Sequence, residues 1–362
     1  MPEPAGRRAR LAPDADVADA EASTPAAPVA ALFPGQGSQA IGMGRALYQA
    51  SPAARAVLDE AEATLPGLLR RMWEGPADEL QQTANQQPAL VAAGVAALAA
   101  WREAGAAPLT HAAGHSLGEY SALVAAGSLA LADALRLVRA RGEAMQRAVP
   151  PGDGAMVAVL KLDGEHVART LAAVGGTVAI ANRNSPQQTV ISGTAAAVAE
   201  AAARLKREGA RTVSLKVSAP FHCSLMAPAA EALAPLLADT AFAAPNLTVI
   251  ANVSAREIAS GAQARALLVE QVTAPVRWVE TLERLYALGV RRFVELGSGN
   301  VLTGLVGRTL SGVTALAVDD PESLRFAQAA LEDDAVPPGA TPSATPSAAE
   351  PGTAAPPPEE ER

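Results

Sequence analysis

Disulfide chemistry is absent from this chain. It has one cysteine, Cys223, in 362 residues, so no intrachain disulfide framework exists and a reducing compartment is expected. Aromatic residues make up only 3% while hydrophobic residues reach 49%, much of that alanine. The core is therefore expected to be aliphatic and finely packed, as in an α/β enzyme rather than a β-sandwich. No long hydrophobic run occurs. The best, PALVAAGVAALAAW (88–101), is shorter than the ~20 residues a bilayer helix needs and reads as a buried helix. Arg7, Arg8 and Arg10 hint at a transit peptide, but Asp14, Asp16, Asp19 and Glu21 follow closely, and such peptides are poor in acids. A cytoplasmic, membrane-free protein is expected.

Strong basic charge is also missing. The net charge is −8, and it resides in the ends: −2 in residues 1–30 and −6 in residues 331–362, leaving the middle neutral. A nucleic-acid binder would show a basic domain, so that class is excluded, whereas a local basic patch for an acidic partner is not. Residues 1–28 and the Pro/Ala/Thr/Ser-rich stretch 331–362 lack periodicity and are expected to be disordered extensions.

What lies between has the rhythm of two interleaved units. VAALF (29–33) reads as a buried strand stopped by Pro34 and Gly35. SPAARAVLDEAEATL (51–65) has helical spacing with Ser51 as cap, and QPALVAAGVAALAAWREAG is a second helix ended by Gly105. HAAGHS is a short apolar step, followed by helices in LGEYSALVAAGSL and LADALRLVRARGEAMQRAV. From residue 155 the order becomes strand AMVAVLKL, helix DGEHVARTLAAV, strands TVAIANR and QTVISG, helix TAAAVAEAAARLKREG and strand RTVSLKVS. That βαββαβ order is the ferredoxin-like pattern, predicted over 152–217 as a subdomain inserted into a larger α/β unit spanning 29–151 and 218–330. The larger unit resumes with NLTVIANVS, a helix around 262–288 and the strand RRFVELG.

The stretch GHSLGEY (114–120) places Ser116 between Gly114 and Gly118, after an apolar step and before a helix. In such an elbow, small neighbours let the backbone strain and expose a nucleophilic hydroxyl, and the N–H of the next residue, Leu117, helps hold an oxyanion. The plain alternative is a chance Gly-x-Ser-x-Gly in a chain with 29 glycines. A serine needs a base. Of four histidines, His115 adjoins the serine, His166 opens a helix of the small unit, and His111 and His115 lack the glutamate of a zinc helix, so no metal site is expected. His222, in SAPFHCSLM, is the preferred base, with a structural histidine as its alternative. GQGSQ (35–39) loosely fits a dinucleotide fingerprint, but the nearest acids, Asp59 and Glu60, lie in a helical pattern rather than at a strand end. Gln36 and the loop's N–H groups are better used on the oxyanion.

These residues belong to a larger series: FPGQGSQ (33–39), QQPAL (86–90), GHSLGEYSALVAAG (114–127), RGEAMQ (141–146), GAMVAV (154–159), NSPQQTVISG (184–193), APFHCSLM (219–226), APVRWVETL (274–282) and ELGSGNVLTGL (295–305). In that order they resemble the malonyl-CoA:acyl-carrier-protein transacylase family, also found as acyltransferase units of polyketide synthases. The resemblance implies an α/β-hydrolase-like core with a ferredoxin-like insertion. It implies Ser116 as acyl acceptor, His222 as base, Gln36 and Leu117 as the oxyanion hole, Arg141 as clamp for the malonate carboxylate, and the Gln271 backbone carbonyl as orienter of the histidine. Phe221 is bulky where methylmalonyl-selective members have a small residue, which implies a malonyl preference; ordinary core packing is its alternative. Malonyl-CoA and an acyl carrier protein bearing phosphopantetheine are the implied partners, with no bound cofactor or metal, and a monomer is expected. Lys206, Arg207 and Arg211 are candidates for the carrier-docking face. A hydrolase of the same fold that clears carrier-bound acyl groups, or a non-catalytic docking subunit, are the competing expectations.

Overall fold

The computed structural model describes residues 27–332; the predicted N-terminal extension up to residue 26 and the tail from 333 lie outside them. Nine strands occur among the described residues: β1 (Val29–Phe33), β2 (His111–Gly114), β3 (Gly154–Leu160), β4 (Val178–Ser185), β5 (Gln188–Thr194), β6 (Arg211–Ser214), β7 (Thr248–Ile250), β8 (Arg292–Leu296) and β9 (Thr314–Val318). Five of them form a parallel sheet in the order β7-β2-β1-β8-β9. Every residue of VAALF in β1 is buried, because helices cover both faces of this central strand. Ala31 and Phe33 pack into the larger core while Ala30 and Leu32 pack into a second cluster with Trp278 and Phe293. The alternation of a strand thus distributes one apolar run between two cores.

The helix Thr83–Glu103 is buried almost all round. It packs against the helix Leu131–Ala148, and Gly142 sets their closeness: a Cβ there would lie 2.7 Å from Ala84 Cα. The approach draws the neighbouring Arg141 into the interior. No helix among the described residues is long and apolar enough to cross a membrane.

The other four strands form an antiparallel sheet in the order β4-β5-β3-β6. The helices Gly164–Ala172 and Ala195–Arg207 join them, and Val157, Val159, Val167, Ile191, Val198 and Leu205 share a small core of their own. Met156 and Ala158, on the opposite face of β3, pack into the main core, so this sheet is a wall of both.

Two sequence readings change. The helix predicted over 262–288 is two helices, Gly261–Gln271 and Trp278–Ala287. Pro275 lacks an N–H and disfavours helical backbone before it. The interrupted stretch instead pairs with β4: Val276 N donates to Ala181 O at 2.8 Å and Arg183 N to Val276 O at 2.9 Å. The strand predicted over RTVSLKVS stops at Ser214, with one further bond from Leu215 N to Met156 O. Beyond these, β9 and the helices Ala227–Asp239, Val301–Thr309 and Pro321–Glu332 were not read from the sequence.

Glu295 in β8 closes the helix Val301–Thr309. Its carboxylate accepts from Leu302 N (3.1 Å), Thr303 N (2.7 Å) and Thr303 Oγ1 (2.9 Å). Burial raises its pKa from the ordinary 4.5 to about 7, against the pull of those donors. A raised carboxyl pKa means that the folded state holds the proton more tightly than the unfolded chain. The resulting stability is complete below about pH 4.5 and disappears as pH rises through about 7. Denaturant titrations of wild type and Glu295→Gln in parallel across pH 5–8 isolate this group: their stability difference should move against the wild type as pH rises through about 7.

Candidate active site

The site begins where two neighbouring parallel strands end. After β2 the chain turns at Ser116, whose φ of +52° lies in the left-handed region, and enters the helix Gly118–Ala125. The flanking glycines are sterically required. A Cβ on Gly114 would meet the Gly118 carbonyl at 1.9 Å, and one on Gly118 would lie 2.2 Å from Phe33 O, at the end of β1. Asn252, just past β7, clamps the turn: its Oδ1 accepts from Ser116 N at 2.7 Å and its Nδ2 donates to Gly114 O at 2.7 Å. A strained backbone persists only where its surroundings over-determine it, and this side chain is part of that determination.

Ser116 Oγ lies 2.8 Å from His222 Nε2, and both residues are buried. His222 also has a left-handed backbone, φ +58°. Its Nδ1 is 3.0 Å from both Gln271 O and Ala274 O. Carbonyl oxygens only accept, so Nδ1 carries the hydrogen and Nε2 offers its lone pair to the serine hydroxyl. Burial first, then the charges of Arg141 and His115, depress the imidazole pKa from 6.5 to about 3. The ring is neutral over the physiological range. The two carbonyls belong to the chain interruption at Pro275, so the helix break absent from the sequence reading is what supplies the second acceptor.

Arg141 is 1% exposed, yet no carboxylate forms an ion pair with it among the described residues. Its Nη1 donates to Gln87 Oε1 at 2.8 Å; its Nη2 donates to Gln271 Oε1 and to Ser116 Oγ, both at 3.1 Å. The Nε has no partner. Two neutral amide oxygens are weak compensation for a desolvated guanidinium, and burial lowers its pKa. The arrangement leaves room in the hydrogen-bonding inventory for an anion beside the serine.

Gln36 and Leu117 sit at the two adjoining strand ends. Their loops are in close contact, since a Cβ on Gly35 would lie 2.6 Å from His115 O and His115 N donates to Phe33 O at 3.0 Å. Gln36 Nε2 donates to Gln86 Oε1 at 2.5 Å and Thr83 Oγ1 at 3.4 Å. Among the described residues nothing accepts from the backbone N–H of Gln36 or Leu117. Phe221 is buried in the main core immediately before His222. The remaining histidines take no place in the serine–imidazole pair: His115 bonds Asn184 and packs on Trp278, His111 bonds Thr110, and His166 pairs with Glu208. Among the described residues no cluster of potential metal ligands occurs. Lys206, Arg207 and Arg211 are exposed on the small sheet unit.

Three contributors were missed in the sequence. Asn252 directly follows the apolar step VIA of NLTVIANVS, and a polar residue there was the available signal. Gln87 faces the guanidinium from the buried helix. Glu119, inside the quoted GHSLGEY, is fully buried, with Oε2 accepting from Asn252 N at 2.9 Å and Gln271 Nε2 at 2.8 Å. The Gln271 side chain therefore joins Arg141 to Glu119, in addition to its backbone carbonyl on His222.

The acyl transferase domain family matches residues 31–325. A malonyl CoA-acyl carrier protein transacylase of Bacillus subtilis (strain 168) is 46% identical over 311 residues, covering 84% of this chain and 98% of that protein. Among solved structures, an acyl-carrier-protein S-malonyltransferase from Bartonella henselae is similar at TM-score 0.81 and 45% identity, covering 84% of this chain and 99% of that one. A malonyl-transacylase in complex with a holo type II PKS acyl-carrier protein matches at TM-score 0.81 and 43% identity, with 84% and 99% covered.

Asn252→Ala removes both side-chain bonds that hold the serine turn and strands two buried backbone groups. Unsatisfied buried groups cost about 1–3 kcal/mol each. Denaturant unfolding should show a loss of roughly 3 kcal/mol, together with slower labelling of Ser116 by a serine-directed acylating reagent.

Proposed function

The chain belongs to the acyl transferase domain family, and from that membership we propose that it moves a malonyl group from malonyl-CoA to the phosphopantetheine thiol of an acyl carrier protein. The observation that carries this reading is the buried Arg141 guanidinium, 3.1 Å from Ser116 Oγ and without an ion-pair partner among the described residues. A planar guanidinium grips a carboxylate through two parallel hydrogen bonds, which no neutral acyl group can accept.

The reaction runs in two symmetrical halves. Ser116 Oγ loses its proton to His222 Nε2 as it attacks the thioester carbonyl. The carbonyl oxygen becomes an oxyanion, received by the free N–H groups of Leu117 and Gln36, at about 3 kcal/mol per donor. The tetrahedral adduct collapses, the carbon–sulfur bond breaks, and CoA leaves as thiol with the proton from His222. Malonyl-Ser116 remains. The carrier's thiol then repeats the sequence, its proton passing through His222 back to Ser116. Two carbonyls at Nδ1 keep the imidazole in the required tautomer and accept its rising charge in the transition state. Thioester and oxyester exchange is nearly balanced, so the chemistry needs neither a bound cofactor nor a metal.

The malonyl-transacylase solved with a carrier protein supports the carrier as acceptor. The burial of Phe221 in the main core is equally what ordinary packing requires, so the malonyl preference rests on the resemblance. The order β4-β5-β3-β6, antiparallel throughout, supports reading residues 152–217 as a ferredoxin-like insertion in an α/β-hydrolase-like core. A hydrolase of this fold would have no use for a carboxylate clamp, and a docking subunit would have no use for an assembled Ser116–His222 pair.

Intact-mass measurement after mixing with malonyl-CoA should show one malonyl adduct, absent in Ser116→Ala and discharged by holo carrier protein far faster than by water. Discharge by water alone would favour the hydrolase. Arg141→Ala should lower kcat/KM for malonyl-CoA by 100-fold or more, about 3 kcal/mol of lost charge-assisted bonding, while narrowing the preference over acetyl-CoA.

A further inference from the structure

The mechanism above leaves unused a buried carboxyl group that is joined to the Arg141 guanidinium. Glu119 is fully buried, lies two helical residues after the nucleophile's successor, and touches the clamp through a single side chain. Gln271 Nε2 donates to Glu119 Oε2 at 2.8 Å while Gln271 Oε1 accepts from Arg141 Nη2 at 3.1 Å. The amide is thus oriented with its positive end on the carboxylate and its negative end on the guanidinium. Asn252 N gives Oε2 a second donor at 2.9 Å. Oε1 has no hydrogen-bond partner. The carboxyl group is therefore asymmetric: one oxygen is committed to two N–H donors, and the other is free to carry a proton without displacing any of them.

A buried guanidinium requires a balancing negative charge, but only one. In the empty pocket Glu119 is the available anion. In the loaded pocket the malonyl carboxylate takes its place in direct contact, and two carboxylates around one guanidinium in a desolvated site cannot both stay ionised at low cost. We propose that Glu119 is the exchangeable counter-charge of the Arg141 clamp, ionised in the empty enzyme and protonated on Oε1 once a malonyl carboxylate occupies the guanidinium, so that loading draws a proton from solvent. This rests on the malonyl reading of the site. Malonate is the stronger acid and gains the direct contact, so the proton goes to Glu119. The other groups facing this carboxyl do not compete. Tyr120, adjacent on the same helix, is buried and pushed up beyond its ordinary pKa, and His222 is held neutral. Burial places the Glu119 carboxyl itself at about 7, with Arg141 among the influences opposing the rise. Sharing Arg141 with malonate weakens that opposition.

Glu119 acts here through Gln271 as a positioning residue, and the signature is a proton count. Acylation itself passes the serine proton to the CoA thiol and exchanges none with solvent. Calorimetry of malonyl-CoA loading at pH 7.5, in buffers of differing ionisation enthalpy, should therefore report net proton uptake on acylation. Glu119→Gln should load with no uptake. The ratio of wild-type to Glu119→Gln kcat/KM should fall several-fold, at most about tenfold per pH unit, between pH 7.5 and 8.5. Substrate titrations are common to both enzymes and cancel in that ratio. Full acylation of the wild type without uptake, or equal uptake in the variant, overturns the inference. If the variant does not fold, the wild-type proton count decides alone. Absence of any malonyl adduct overturns the functional reading and this one with it.

Discussion

A positive charge has been enclosed in this protein without an anion in contact to neutralise it. Arg141 is held by two glutamine side chains and by the serine hydroxyl that lies between it and the imidazole. Much of the architecture serves that placement. The Gly142–Ala84 approach brings two helices close enough to seal the guanidinium away, and the helix Thr83–Glu103 is buried along nearly its whole length so that Gln87 can meet it. The same charge helps keep His222 neutral and helps limit how far burial can raise Glu119. The guanidinium beside the serine therefore also influences the protonation states of the groups around it.

The histidine is oriented by backbone rather than by an acidic side chain. A carboxylate at Nδ1 would raise the imidazole pKa and retain the proton, whereas two carbonyls fix the tautomer with partial charges only. With Arg141 nearby, a further ionised group would also alter the charge balance around the buried guanidinium. Glu119 is kept one amide away from the imidazole's other neighbours, separated from Arg141 by Gln271.

Much of this was legible in the chain. GHSLGEY between an apolar step and a helix located the serine because the elbow's steric demands fall on neighbours, and Gly114 and Gly118 are visible as letters. The short fully apolar run VAALF read as a buried strand for an equally local reason. Gln271 was placed by resemblance to a family alone, whereas His222 followed from elimination among four histidines and Gln36 from its glycine-rich loop after the first strand. What stayed hidden depends on contacts across long sequence separations. Asn252 reaches back 136 residues to Ser116 N, and no local pattern announces such a clamp. The division of 262–288 into two helices was signalled by Pro275, but helical periodicity on either side outweighed it. Glu119 stands in the first turn of a helix, where acids are ordinary, and only its complete enclosure sets it apart.

That division has a mechanical side. Val276 is laced to β4 of the small sheet by bonds on both sides, and two residues earlier the same chain segment offers Ala274 O to His222 Nδ1. Two peptide units are too short to act as a slack tether. Any rotation of the antiparallel sheet against the parallel one must tug on that oxygen, so the tilt of the imidazole is geared to the relative attitude of the two sheets.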